Sequence, residues 1–240
     1  MDGGMSRDVG IARFVERQMR NWELSRQQAP AEPEAQAPTV KFYVTISREM
    51  GCRGEAIADG LAARLGWQKF DREILEYMAG QAEVRRRLFG TLDERHRDWM
   101  EGMLQPLIAD GAGGVSDYFR ALTRAILTIC YYQHAIIVGR GANFVLPPDR
   151  GLRVRLVAPQ DYRIATTARM EGIEVKQAKR RVEQVEAQRA KFTAGRFGRF
   201  PYDPRHYDLV VNTASFDDGQ ICELVIDAAR TKASANRIDL

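Results

Sequence analysis

Three stretches place charged residues directly behind apolar runs, where a fold of alternating strands and helices would gather them. Ser47, Arg48 and Glu49 follow "FYVTI", Asp71 and Arg72 follow "QKF", and Arg140 follows "AIIVG". An arginine presents a planar fork of N–H donors that grips a phosphate bidentately, so arginines converging on one edge suit phosphate binding. Behind Arg48 comes "EMGCRGE", in which Gly51 and Gly54 bracket Cys52 and Arg53, and Glu55 opens a helical stretch. Glycines at such a turn let backbone N–H groups face an anion, with the helix dipole behind them. The usual phosphate loop, G-x-x-x-x-G-K-[ST], adds a lysine for the β- and γ-phosphates and a hydroxyl for Mg²⁺. Neither is present here. Taken alone, two glycines between a strand and a helix fit an ordinary turn better than a phosphate cradle.

A second basic feature lies further on. Residues 176–205, "KQAKRRVEQVEAQRAKFTAGRFGRFPYDPR", hold nine basic and three acidic residues. The pattern predicts a charged helix followed by a loop containing Gly and aromatic residues, with Arg196 and Arg199 in the loop. A hinged basic flap of this kind can exclude water and bring arginines to a transferring group. A charge run is also what a solvated helix face looks like, as is "RRR" at 85–87.

These residues need a scaffold, and the hydrophobic pattern supplies one. Buried strands are predicted within 42–47 and at 68–70, 135–139, 153–158 and 208–213. Helices are predicted over 55–65, 73–87, 117–132, 160–170, 175–192 and 219–231. Strands alternating with helices of ten or more residues imply a parallel, five-stranded α/β sheet covered on both faces. Ligands of such sheets sit at the carboxyl ends of the strands, where the charged residues above fall. Ser116 or Asp117 suits the N-cap of the helix after the loop at 111–118. Ahead of this domain, 41–240, the first 40 residues read as an appendage. Ile11, Phe14, Val15, Met19 and Trp22 fall at helical spacing within 11–28, and "APAEPEAQAP" at 29–38 reads as a linker. The helix has three open fates: docking on its own domain, pairing with a second copy in a homo-oligomer, or binding a partner.

Composition narrows the class. With 45% hydrophobic and 28% charged residues the chain is ordinary for a globular protein. No apolar run approaches the ~20 residues needed to span a bilayer, and the N-terminus lacks the apolar core of a signal peptide. Cys52, Cys130 and Cys222 are widely spaced and form no CxxC pair, which fits reduced thiols in a cytoplasmic protein better than a disulfide frame or metal site. Thirty of the 36 basic residues are arginine, a bias that genome composition can produce by itself. No basic stripe interleaved with aromatics stands out, so nucleic acid is not an expected partner.

The stretch "TISREMGCRGEAIADGLAARLGWQKFDREIL" resembles the opening of the cytidylate kinase-like family, a divergent branch of the nucleoside monophosphate kinases with the P-loop fold. "AIIVGRGANFVLP" at 135–147 and "YDLVVNTASF" at 207–216 carry the same resemblance, in the same order. The resemblance implies an ATP-dependent phosphotransferase with nucleotide substrates, CMP or a related monophosphate as acceptor, and Mg²⁺ held mainly through phosphates. Against a cytidylate kinase loop reading roughly GPSGSGKG[TS], Gly54 stands where the lysine would be and Ala56 where the hydroxyl would be. Arg53 or Arg48 would then supply the missing charge. Arg140 matches the arginine of the GRDxGTVVFPDA motif, while Gly141 replaces its aspartate and puts cytosine selectivity in doubt. In "FDREILEY", Asp71 matches an aspartate of the acceptor pocket or is simply a helix N-cap, and Arg72 and Tyr77 replace its serine and arginine. The acceptor-binding region would span about 71–115 and the lid about 176–205, with Arg181, Arg189 and Arg196 as lid arginines and Arg53, Arg140 and Arg189 as catalytic groups. A nucleotide-binding sensor that has lost its chemistry, or a kinase for another small phosphate acceptor, would carry the same resemblance.

Overall fold

Residues 42–46 alternate Phe42, Val44 and Ile46 with Tyr43 and Thr45, and every one of these side chains is buried. A strand apolar on both faces belongs in the middle of a parallel sheet. In the computed structural model, which describes residues 2–28, 38–90, 92–109 and 116–240, that is where it lies. The elements run α1 (Asp2–Gln28), β1 (Tyr43–Arg48), α2 (Gly54–Leu65), β2 (Gln68–Phe70), α3 (Arg72–Gly80), α4 (Ala82–Gly90), α5 (Glu94–Ala109) and α6 (Asp117–Tyr132). They continue with β3 (Ala135–Val138), α7 (Ala142–Val145), β4 (Gly151–Val157), α8 (Gln160–Glu171), α9 (Val175–Phe197), β5 (Leu209–Asn212) and α10 (Asp218–Ala235). The sheet order is β2-β3-β1-β4-β5 with all pairs parallel, as the alternation of strands and helices implies. With β1 flanked by β3 and β4, the loops after these three strands open on one side of the sheet.

Each face of the sheet has its own core. Phe42, Val44 and Ile46 pack with Ile57, Leu61, Val225 and Ala229 of α2 and α10. Tyr43, Phe70 and Ile137 pack on the other face with residues of α3 and α6 and with Val15, Met19 and Trp22 of α1. Helix α1 starts well before residue 11, and the apolar stripe read from its sequence is covered by its own chain. Trp22 stacks on Tyr132 with ring centroids 5.4 Å apart, and Phe14 meets Phe70 edge-on at 5.7 Å. Arg87 of α4, the last of the "RRR" run, reaches across to Glu16 at 2.7 Å and Glu23 at 3.0 Å of α1. The linker residues 29–37 and most of the loop at 111–118 lie outside the described residues. Ser116 is the N-cap of α6, accepting from the Phe119 N–H.

Two expectations about helices change. The single helix expected over 73–87 is two, parted where Gln81 takes an extended backbone. Leu75, Met78 and Leu88 all enter one core, yet Leu88 would lie roughly 80° away from Met78 around a straight helix of 3.6 residues per turn. The break returns it to the core. Helix α5 has no counterpart among the helices expected from the sequence, and Pro106 lies inside it. Its Met100 and Leu104 are buried all the same. Among the described residues no helix is long and apolar enough to cross a membrane.

Because Trp22 is 3% exposed in the shared core, Trp22→Ala should destabilise the whole domain by about 3–5 kcal/mol. Urea unfolding should show one transition moved to lower denaturant, with α1 and the sheet lost together.

Candidate functional site

Two glycine turns end the central strands. After β1, the chain turns through Gly51 at φ 85° and reaches α2 through Arg53, which holds the left-handed conformation at φ 54°. After β3, Gly139, Arg140 and Gly141 are left-handed in succession, at φ 79°, 53° and 68°. A non-glycine residue in this region costs about 1–3 kcal/mol and persists only where its surroundings hold it. Arg53 is held by hydrogen bonds from its Nη2 to the carbonyls of Thr213 and Phe216, at 2.6 and 2.7 Å, and by an ion pair with Asp218 at 3.2 Å. Arg140 is held by Glu76 of α3, whose carboxylate also pairs with Arg72 at 3.2 Å, and by the Phe192 ring 5.0 Å away.

At the first turn, α2 makes its first hydrogen bond from the Ile57 N–H to the Arg53 carbonyl, so the N–H groups of Gly54, Glu55 and Ala56 have no acceptor within the helix. Gly51 has a second reason to be glycine. A Cβ there would collide with the Arg163 carbonyl, because the backbone of α8 lies directly on the turn.

Between the end of β1, the second glycine turn and α9 lies a cavity of about 380 Å³. Six arginines line it: Arg48 from β1, Arg72 from α3, Arg140 from the second turn, Arg155 from β4, and Arg181 and Arg189 from α9. Burial first, and then the neighbouring cations Arg72, Arg48 and Arg189, push the Arg140 guanidinium down to about 10. Burial and Arg48 push Arg189 down to about 10 as well, against the pull of Glu186. Here the charged forms are disfavoured by their surroundings, a condition that an anion entering the cavity would relieve. Asn143, 5% exposed, also lines the cavity; its Oδ1 accepts from the Ser47 hydroxyl at 3.3 Å, while its Nδ2 is buried with no partner. The Arg140 Nε is likewise buried without a partner.

Helix α9 is closed over this cavity. The Met50 N–H of the first turn donates to the Glu186 carboxylate at 2.7 Å. One turn along α9, the Arg189 Nη1 donates to the Arg48 carbonyl at 2.8 Å and to Glu186 at 3.2 Å. At the far end, Phe197 packs against Phe119, Phe144 and Phe192. Its ring fills the space beside Gly141 so completely that a Cβ there would overlap it. The helix therefore runs through to Phe197, past the loop expected after residue 192, and carries Arg196 with it. Packing of Phe197, 6% exposed, outweighs the weak helix propensity of Gly195, and Gly198 at φ 59° ends the helix.

Of the residues singled out in the sequence, the structure thus brings Arg48, Arg72, Arg140, Arg181 and Arg189 to one cavity. It does not bring Arg53 there: that side chain ties the first turn to the loop after β5. Arg196 lies over the Phe119 ring at 5.8 Å and does not line the cavity. Asp71 is the N-cap of α3, its Oδ1 accepting from the N–H groups of Glu73 and Ile74, both at 3.0 Å. Glu55 is half exposed and pairs with Arg48 at 2.8 Å and Lys69 at 3.4 Å. Cys52 is buried, its thiol pushed up to about 11 by desolvation. Arg155 and Asn143 are additions. The single sign of Asn143 in the sequence is its place two residues after "GRG"; Arg155 sits mid-strand, where an arginine reads as solvent-facing.

Comparison with known proteins joins this geometry to a family. The model of the cytidylate kinase-like family matches residues 43–215. The chain belongs to the cytidylate kinase-like family. A cytidylate kinase of Methanopyrus kandleri (strain AV19) is 33% identical over 94 residues, which are 35% of this chain and 49% of that protein. The chain thus matches about half the length of that relative. An uncharacterized protein of known structure from Eubacterium ventriosum superimposes with a TM-score of 0.64 at 18% identity, over 80% of this chain and 99% of the other. That likeness shows the fold. The family match begins at β1 and includes its glycine turn and α2.

The contact between α9 and the first turn can be tested without substrate. Glu186→Ala removes the acceptor of the Met50 N–H, and hydrogen exchange at that amide should quicken on the order of ten-fold, with α9 exchanging faster than the sheet.

Proposed function

We propose that the protein is an ATP-dependent phosphotransferase whose acceptor is a small phosphate-bearing molecule, with CMP or a related nucleoside monophosphate as the first choice. The observation that carries this is the cavity of six converging arginines between the end of β1, the second glycine turn and α9. Phosphoryl transfer asks little covalent chemistry of a protein; it asks that charge be neutralised and the reacting oxygens be held in line. The acceptor phosphate already carries its nucleophilic oxygen, so no general base is required. In this reading Arg140 and Arg72 hold the acceptor phosphate, Arg189 and Arg181 meet the transferring group from α9, and the N–H groups at the start of α2 face the donor.

The residues present fit a polyphosphate. Two buried donors, the Arg140 Nε and the Asn143 Nδ2, await an acceptor at the cavity wall. For Mg²⁺ the chain offers less. Glu49 is engaged by Arg155 at 3.5 Å, Arg163 at 3.3 Å and the Ala158 N–H at 3.3 Å, and Glu76 is engaged by Arg72 and Arg140. Among the described residues no group of three or more His, Cys, Asp or Glu side chains could hold a metal ion. The ion would be carried by phosphates and water. A second reading, a kinase for a different phosphate-bearing acceptor, draws on Gly141: Phe197 occupies the place beside it, so no carboxylate fits where cytidylate kinases carry one.

The test is product formation from ATP and Mg²⁺ with CMP, dCMP, UMP, AMP and GMP, resolved by chromatography. One diphosphate should accumulate with an equal amount of ADP. Arg140→Ala and Arg189→Ala should each lower turnover roughly 10²- to 10³-fold, by loss of a transition-state charge contact. If the folded protein yields none of the diphosphates, the monophosphate reading is wrong.

A further inference from the structure

The geometry points to Arg48 as the cation that replaces the absent loop lysine, contacting the donor polyphosphate from the end of β1, and to Gly54 as glycine because the stem of Arg48 lies across it. The inference rests on the phosphotransferase reading and assigns the donor side of the same cavity.

Arg48 runs between the two glycine turns. A Cβ placed on Gly54 would come 2.8 Å from the Arg48 Cγ and 3.2 Å from its Cβ. A Cβ placed on Gly139 would come 2.6 Å from the Arg48 Nη1. Both glycines are therefore shaped around one side chain. Its head lines the cavity, with Nη2 donating to the Glu55 carboxylate at 2.8 Å. The Arg48 side chain is 15% exposed, whereas Glu55 is 50% exposed and can turn away to solvent when a phosphate arrives.

Gly54 is the first residue of α2, the position from which the lysine of an ordinary phosphate loop starts. A lysine stem beginning there would enter the volume that the Arg48 methylenes fill. The two arrangements exclude one another: one cation from the helix start, or one from the strand end. Arg53, the other basic residue of the turn, is committed to the carbonyls of Thr213 and Phe216. Its work is to join the turn to the loop after β5.

The exchange can be read by binding alone. Calorimetric titration with ATP·Mg²⁺ and with inorganic tripolyphosphate would be run on the wild type, Arg48→Gln, Arg48→Ala, Gly54→Lys and the Arg48→Ala/Gly54→Lys pair, each with a thermal melt. Arg48→Gln keeps the stem over Gly54 and removes the charge. It should melt with the wild type and bind both probes roughly 10- to 100-fold more weakly, as loss of a charge-assisted hydrogen bond predicts. Gly54→Lys alone should melt lower, because the new side chain meets Arg48. The pair should melt above Gly54→Lys and bind at least ten-fold more tightly than Arg48→Ala. If Arg48→Gln binds like the wild type, or Gly54→Lys melts and binds unchanged, the Arg48 assignment is wrong while the phosphotransferase reading stands. If the wild type binds neither probe, that reading fails and takes this assignment with it.

Discussion

The structure is organised around positive charge gathered at one edge of the sheet. Six arginines share one cavity, and five carboxylates pair with them: Glu76 with Arg72 and Arg140, Glu55 with Arg48, Glu186 with Arg189, Glu49 with Arg155 and Glu171 with Arg181. Desolvating a cation disfavours its charged form, and like charges nearby disfavour it further. The lowered values of Arg140 and Arg189 are the direct sign of both effects. Such an arrangement works against folding and is sustained by packing elsewhere, here by the two cores that grip the sheet from either face.

Strain and charge fall on the same residues. Arg53 and Arg140 take left-handed backbone conformations, and each lies in a glycine turn at the carboxyl edge of the sheet. In both cases the side chain anchors the conformation that the backbone resists. Arg53 does so through two carbonyls and Asp218, which fixes the first turn against α10 and the loop after β5. Arg140 does so through Glu76, which fixes the second turn against α3. The guanidinium groups thus have two kinds of work. Arg53 is structural in this geometry, while Arg140 is both anchored and turned toward the cavity.

Most of the sheet was legible in the sequence because its signals are local: short apolar runs closed by turns, with the three residues of β2 the exception. The residues behind those runs, Arg48, Arg72 and Arg140, were legible for the same reason, since the topology of a parallel sheet brings strand ends together without further information. What could not be read depends on contacts between distant segments. Arg53 and Arg48 are five residues apart in one turn, and nothing local says which side chain swings to residues 213–218 and which stays over the cavity. Arg196 follows a glycine in what looks like a loop, and only the aromatic pocket that receives Phe197 keeps it in a helix. Asp71 satisfied two local descriptions, and its two backbone hydrogen bonds settle its position in the fold as a cap. Helix α5 carries Pro106 in its interior, and the burial of Met100 and Leu104 against other segments holds it where local signals do not.

Helix α9 joins the two halves of the cavity mechanically. Glu186 and Arg189 fasten it to the first turn, and Phe197 fastens it beside the second. From Glu186 to Phe197 is eleven residues, about 16 Å of continuous helix at 1.5 Å per residue. At both ends a side chain of the helix meets a turn of the sheet, so one continuous element borders the cavity from the end of β1 to Gly141. The contact gives a physical reason for a glycine at 141 opposite a phenylalanine at 197: the ring takes the space that any side chain at 141 would need, and the same ring, packed on Phe119, Phe144 and Phe192, holds the end of α9 beside the second turn.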